Sequence, residues 1–434
     1  MKKIHLQSKR HGMALPLALL VIVLLLITGS TLLSMGLSSR IFSNQNTSDI
    51  KARCAADAGL TQALFEMNEK LKTKPWNSLS LPRALNTSLT ACDATYSYIV
   101  TGDLENGYVI TSVGESGNAS RIVQATLDFK GTFDHAILTR DTLILKSDTT
   151  VDGYNSKDPL DSEFNVSIGT QSTADSSVVL NNNSTVEGDV LVGIGGNPNI
   201  AIKNLGATIT GDQRAVTSKD QLPKINAPAT LDDKMKSITA KGETVTITPT
   251  DSGIYTEIDI RKGAKTVPGV GIVDVPTALE IDGGDVVLYI TGGIELDQAC
   301  DINVKDGSTL TLYIDGDILC REGSGINTEA SIEDAAILKL YATGEDTQNF
   351  DVRANGKWTG VIYAPNANVL LYANGDAYGS VVAGSFEFKA GGNYHYDEAL
   401  REVTEQDEGV TFTVTRWSEE NITLSASEIK EQIQ

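Results

Sequence analysis

Residues 12–39 carry no charge, and the stretch 13–27 is apolar throughout. About 20 such residues suffice to cross a bilayer. Beyond Arg40 the pattern becomes periodic: Ile50, Cys54, Ala58, Leu64, Phe65 and Leu71 recur at spacings built on three and four, among Lys51, Arg53, Gln62 and Glu69. That is one apolar stripe on an otherwise soluble helix. The first firm stop is Pro75, so the pattern predicts one helix over 13–74, with 13–39 in the membrane, on the order of 90 Å long. A membrane anchor followed by a separate amphipathic helix is the alternative.

From residue 94 the period falls to two. Runs 96–100, 108–112 and 121–129 alternate and are separated by turn residues at 103–107 and 114–118, which predicts an antiparallel meander within 75–130. The polar stretch 75–93 reads as a loop.

The remainder repeats. Leu288-Tyr-Ile, Leu312-Tyr-Ile, Leu340-Tyr-Ala, Ile362-Tyr-Ala and Val381-Val-Ala follow one another at spacings of 24, 28, 22 and 19. Four of the five are followed within seven residues by a second short strand: 294–296, 318–320, 369–371 and 386–388. Strand, tight turn, strand at a period near 20 is the mark of a β-solenoid, whose coils bury their inner faces only by stacking. A β-sandwich with coincidental spacing is the alternative. Similar material recurs at 136–145, 178–192 and 207–210, and 221–281 reads as an excursion. The fold class is thus α+β, mostly β: a long N-terminal helix, a small antiparallel sheet, then a right-handed β-solenoid over 131–400. In 401–434, residues 409–417 read as a last strand covering an open coil edge, and 425–434 as a polar helix or disordered tail.

Residues 1–12 form a basic leader with Lys2, Lys3, Lys9 and Arg10. The positive-inside bias keeps this head in the cytoplasm and exports the rest. A secretory signal would have a similar head and apolar run, with its cleavage site in 28–39. Pro16 favours the membrane helix. In a helix starting at Met13 it lies in the first turn, where a missing N–H costs nothing.

Lys9-Arg10-His11-Gly12-Met13-Ala14-Leu15-Pro16-Leu17, followed by Ala52-Arg53-Cys54-Ala55-Ala56-Asp57-Ala58-Gly59-Leu60, resembles the N-terminus of PilX-type minor pilins. It is also similar to the large K-type minor pseudopilin of type II secretion. The resemblance covers roughly the first 70 residues, with Asp57 where the family has Glu. It implies cleavage between Gly12 and Met13 by a prepilin peptidase, leaving the apolar helix on the mature chain. Leu17 then becomes the fifth residue, where major pilins of this type carry a Glu that pairs with a neighbour. Its absence implies a subunit at or near the filament tip. The implied partners are other pilin or pseudopilin subunits, the prepilin peptidase and inner-membrane lipid. The resemblance does not specify what the head touches, a surface glycan and a secreted substrate being the open candidates. The implied location is the bacterial inner membrane, single-pass, with a cytoplasmic N-terminus and a periplasmic or extracellular C-terminal domain. A membrane-anchored β-solenoid adhesin or glycan-binding protein, less readily a glycan-cleaving one, is the reading from a different class.

The formal net charge of −21 opposes nucleic-acid binding, which uses concentrated Lys and Arg. Cys54, Cys92, Cys300 and Cys320 contain no C-x-x-C pair, which disfavours a zinc site. In an oxidising compartment two disulfides are expected, with Cys54–Cys92 and Cys300–Cys320 preferred among three connectivities. His135 and His395 are the only histidines beyond the head, too few for an evident hydrolase site. Asp282, Asp285, Asp297, Asp301, Asp315 and Asp317 would supply a glycan-cleaving or calcium site, yet fall mostly in turns that favour Asp for backbone reasons. No catalytic residue, metal or cofactor is assigned, and the chain is read as a non-enzyme.

Overall fold

The computed structural model describes residues 14–433 apart from 159, 162–163, 165, 328–333, 355, 391 and 420–424. The chain divides into two compact units: one runs to Asp128 and resumes at Phe412, and the other is Phe129–Thr411.

The first unit is built on α1 (Ala14–Leu71), one unbroken helix of 58 residues. Pro16 sits in its first turn, as its fixed φ and missing donor require. In the apolar half, Thr28 and Thr31 donate their hydroxyls back to the carbonyls of Leu24 (3.0 Å) and Ile27 (2.8 Å), so neither needs water. In the other half Ala52, Ala55, Ala56, Leu60, Ala63, Met67 and Leu71 are buried along one stripe. They face β2 (Thr95–Asp103) and β3 (Gly107–Ser116), which pair antiparallel with each other, with β1 (Arg83–Ser88) and with β4 (Ala119–Lys130). The small residues let the backbones touch. A Cβ on Gly114 would stand 1.9 Å from the Ala52 carbonyl oxygen, and one on Gly59 would stand 2.3 Å from the Ser112 hydroxyl.

Two readings of this unit need correction. Residues 83–88, read as loop, are strand β1. The last strand, Thr411–Ser418, joins β4 in the small sheet and covers no coil edge. It is drawn there by Phe412, buried against the rings of Trp76 (5.7 Å) and Tyr108 (5.4 Å). The Phe412 amide also donates to the Asn68 side chain at 2.6 Å. The tail forms a helix, Ala426–Ile433, whose Ile429 and Ile433 pack on Val113. Val113 points away from α1, because neighbouring Ser112 and Gly114 point toward it.

The second unit is a β-solenoid with three walls of parallel strands. On the first wall Leu288, Leu312, Leu340, Ile362 and Val381 stack in register, all fully buried, as the repeat predicted. The stack then passes from Val381 to Ile137, Ile168 and Val190. The second wall runs Ile238, Ile258, Ile294, Ile318, Phe350, Val369, Phe386, Leu143, Val178, Ile202. On the third, Leu279 stacks on Ile302, and Tyr394 on Val151.

Spatial order therefore departs from chain order. The chain joins the solenoid in its middle and winds outward from residue 136 to 215. Residues 216–231 then return along the outside of the first wall, and Asp233 rejoins its ladder by pairing in parallel with Ile254. From Ile238 the chain winds back until its last coil seats on its first. The Tyr363 hydroxyl donates to the Pro223 carbonyl (2.7 Å), and Ile225 is buried with Tyr313, Tyr341 and Tyr363. The excursion read over 221–281 is thus corrected. Only the external segment and the hairpin Gly263–Val267 with Gly271–Val275 leave the coils, whereas Ile238–Lys241, Thr244–Ile247, Ile258–Arg261 and Thr277–Ile281 are rungs. Short β-branched runs there lacked the aliphatic-aromatic triplet that marks the other rungs.

Candidate functional site

The N-terminal helix presents the largest uncovered apolar surface. Leu15, Leu17, Leu19 and Leu20 are 58–78% exposed, and uncovered side chains continue to Phe42. Its length and composition suffice to cross a membrane. Leu17, exposed by 67%, offers only hydrocarbon to a neighbour. Gly12 and Met13, the expected processing site, lie outside the described residues.

Further along the helix, charge replaces grease. Arg121 holds Asp49 through two hydrogen bonds of 2.6 and 2.7 Å, which keep the Asp49 carboxyl below its ordinary range. Arg53 pairs with Glu419 at 3.1 Å and lies over the Trp417 ring. These contacts fasten β4 and the last strand to the helix just beyond its apolar half.

The four cysteines are free thiols, which corrects the two expected disulfides. Cys54 is exposed on α1, and Cys92 lies in the loop after β1. Cys300 and Cys320 are one coil apart but on different walls: Cys300 pairs with Thr277 on the third, Cys320 with Leu296 on the second. Burial pushes their thiols up, to about 11 and about 12, so both behave as core side chains.

The turn carboxylates brace successive coils. Asp315 accepts from the hydroxyls of Tyr289 (2.6 Å) and Thr343 (2.5 Å), Asp317 from the Asn349 amide (2.8 Å), and Asp285 from the Thr309 hydroxyl (2.8 Å). Asp297 caps the Gln298 amide (2.9 Å), Asp282 lies exposed in a turn, and Asp301 sits within a third-wall strand. Among the described residues no group of three or more His, Cys, Asp or Glu is placed to hold a metal.

The fold assembles two histidine clusters that linear spacing hid. His135 Nδ1 lies 2.6 Å from the Ser167 hydroxyl, and its Nε2 lies 3.2 Å from Asp220, which Lys130 also contacts. Burial opposes ionisation of Asp220, but His135 and Lys130 prevail and hold its carboxyl down at about 2. The three residue types of a hydrolase triad thus meet, yet Ser167 is only 8% exposed and the Asp220 carboxylate already binds two cations or donors. The arrangement pins the external segment to the first coil. His395 lies 2.5 Å from Asp152 and stacks on Tyr378 at 4.7 Å. Burial would lower its pKa; the Asp152 contact outweighs that and raises it. No motif in the sequence pairs these residues, because each cluster joins positions 32 or more residues apart that only the stacking of coils brings together.

Residues 208–403 match a family described as Domain of unknown function (DUF7305). No curated protein matches the chain. Among solved structures, the competence-associated pilin ComZ from Thermus thermophilus aligns over 86% of this chain and 97% of that one, at 16% identity. The TM-score is 0.22, an overlap too slight to bear on fold or function.

Proposed function

We propose that this chain is a minor pilin or pseudopilin of a type IV filament, anchored by α1 and carrying the β-solenoid as its displayed head. One observation carries the reading. A single 58-residue helix is apolar and uncovered over its first half and seats its second half on an antiparallel sheet through small residues. A membrane anchor alone needs only the first half. Continuing the same helix into a folded head transmits the position of the apolar segment rigidly to the sheet, which suits packing of many subunits side by side.

In this reading a prepilin peptidase removes residues 1–12, the N-terminus is cytoplasmic and the solenoid lies beyond the inner membrane. Leu17 supports a position at the filament tip in this reading, since the chain lacks the carboxylate that the resembling major pilins pair with a neighbour along the shaft. The solenoid acts here through its surface, and no enzymatic step is assigned to it. Crosslinking the full chain in its native membrane and identifying what it captures tests the reading. Capture of other chains whose precursors carry basic-Gly-apolar N-termini is expected. A chain captured only with itself or with lipid would overturn it.

A further inference from the structure

The outer face of the second wall carries a groove of about 310 Å³ that crosses four rungs. It runs along the solenoid axis, across the strands. Its polar edge is a column of Asn349, Asn368, Ser385 and Thr142 on successive coils. The Asn368 amide donates to the Asn349 carbonyl oxygen at 3.2 Å, which sets the orientation of both side chains. The floor is Asp351, Leu370, Glu387 and Ile144, again one residue per rung. Along the opposite side Arg353, Tyr372 and Lys389 stand shoulder to shoulder: Arg353 lies 4.7 Å and Lys389 5.7 Å from the Tyr372 ring centre. The register carries this site across the join between the last coil and the first, since Ile144 belongs to one and Glu387 to the other.

Each of the two carboxylates in the floor is paired with a cation beside the groove. Asp351 accepts two bonds of 3.1 Å from Arg353, and Glu387 pairs with Lys389 at 3.1 Å. In a chain of net charge −21 this face is locally neutral, so neither a polyanion nor a polycation is favoured there. A peptide strand is also disfavoured. Strand addition needs a free sheet edge, whereas these backbone groups are spent within the ladder.

We propose that this groove binds a linear, uncharged β-1,4-linked glycan lying along the solenoid axis. Neighbouring rungs are about 4.8 Å apart, close to the rise of one hexose in such a chain, so successive sugars fall on successive rungs, with their ring faces alternating. The amide and hydroxyl column offers both donors and acceptors to sugar hydroxyls. Leu370 and Ile144 offer hydrocarbon to the C–H faces of the rings. The proposal stands whether or not the chain assembles into a filament.

The test is calorimetric titration of the full chain, held in a detergent without a sugar head group, with chitohexaose and cellohexaose. At least one hexamer should bind, and affinity should rise from the disaccharide to the tetramer and then level off, matching four rungs. Asn368→Ala, and separately Leu370→Ser, should weaken binding about tenfold, the scale of one or two lost hydrogen bonds or of one lost apolar contact. Both residues lie on the outer face, so the melting temperature of each variant should stay near wild type and serves as the control. Absence of binding by both hexamers at millimolar concentration, affinity independent of length, or binding unchanged in both variants would each overturn the proposal.

Discussion

Val381 stacks directly on Ile137, in parallel register, although nearly the whole solenoid lies between them in sequence. Phe386 on Leu143 and Tyr394 on Val151 extend the same join around the other two walls. The last coil of the chain is thus the neighbour of the first. The solenoid closes on long-range contacts at its centre, while its chain-local contacts lie in the two arms. Across the join His395 bonds Asp152, and Arg140 bonds Asn366, so polar as well as apolar groups hold it.

Ile362 is fully buried between Leu340 and Val381. Ile362→Asp places a charge there without a partner and should cost more than about 4 kcal/mol, enough to abolish cooperative folding of the solenoid. Thermal melting of the full chain reads this out. A melting profile equal to wild type would mean the ladder residues do not face a core.

Intact-mass analysis of the chain from its native membrane should give a mature protein that begins at Met13. Cleavage beyond residue 39 would instead identify an ordinary secretory signal and remove the basis for filament assembly.

Leu17→Glu adds an acid at a depth where an unpaired carboxylate costs a few kcal/mol. In a tip subunit it restores no required contact. Filament number should fall or stay unchanged, and immunogold labelling of sheared filaments should find the chain scarce along the shaft. Dense shaft labelling by the wild-type chain would make it a bulk subunit.

Asp220 titrates near 2 in the folded chain, below the ordinary carboxylate value, so its clamp stabilises the protein fully above pH 4. That contribution, on the order of 2–3 kcal/mol, is lost as pH falls from about 4 through 2. Asp220→Asn should lower stability at neutral pH and flatten this part of the acid limb. An acid-unfolding curve parallel to wild type would show that Asp220 carries no such linkage.

With four free thiols, migration under reducing and non-reducing conditions should be the same. A maleimide should label Cys54 first in the folded protein, and Cys300 and Cys320 only after denaturation, because burial both shields them and raises their pKa. Labelling of fewer than four thiols after denaturation without reductant would restore a disulfide.

Local pattern determined much of this protein by itself. The uncharged run after residue 12 and the stop at Pro75 specify one helix, because helix formation depends on neighbours three and four positions away. Its buried face differs from the expected one: Ile50, Cys54 and Phe65 of the expected stripe are exposed, and Ala52, Ala56, Leu60, Ala63 and Met67 pack on the sheet instead. The meander was legible as well, since its strands pair with their sequence neighbours. So was the stack from Leu288 to Val381, because each rung repeats an inward aliphatic residue at the same place in its triplet. Tertiary structure alone decided which coil follows Val381, where Phe412 packs and where Ile429 lies. Those contacts join segments with no shared repeat, and their partners are selected by burial rather than by spacing. The groove through Asn368 and Leu370, the His135–Asp220 clamp and the failure of Cys300 to reach Cys320 belong to the same class. Each depends on which wall of which coil a residue occupies, and a one-dimensional period near 20 does not specify that.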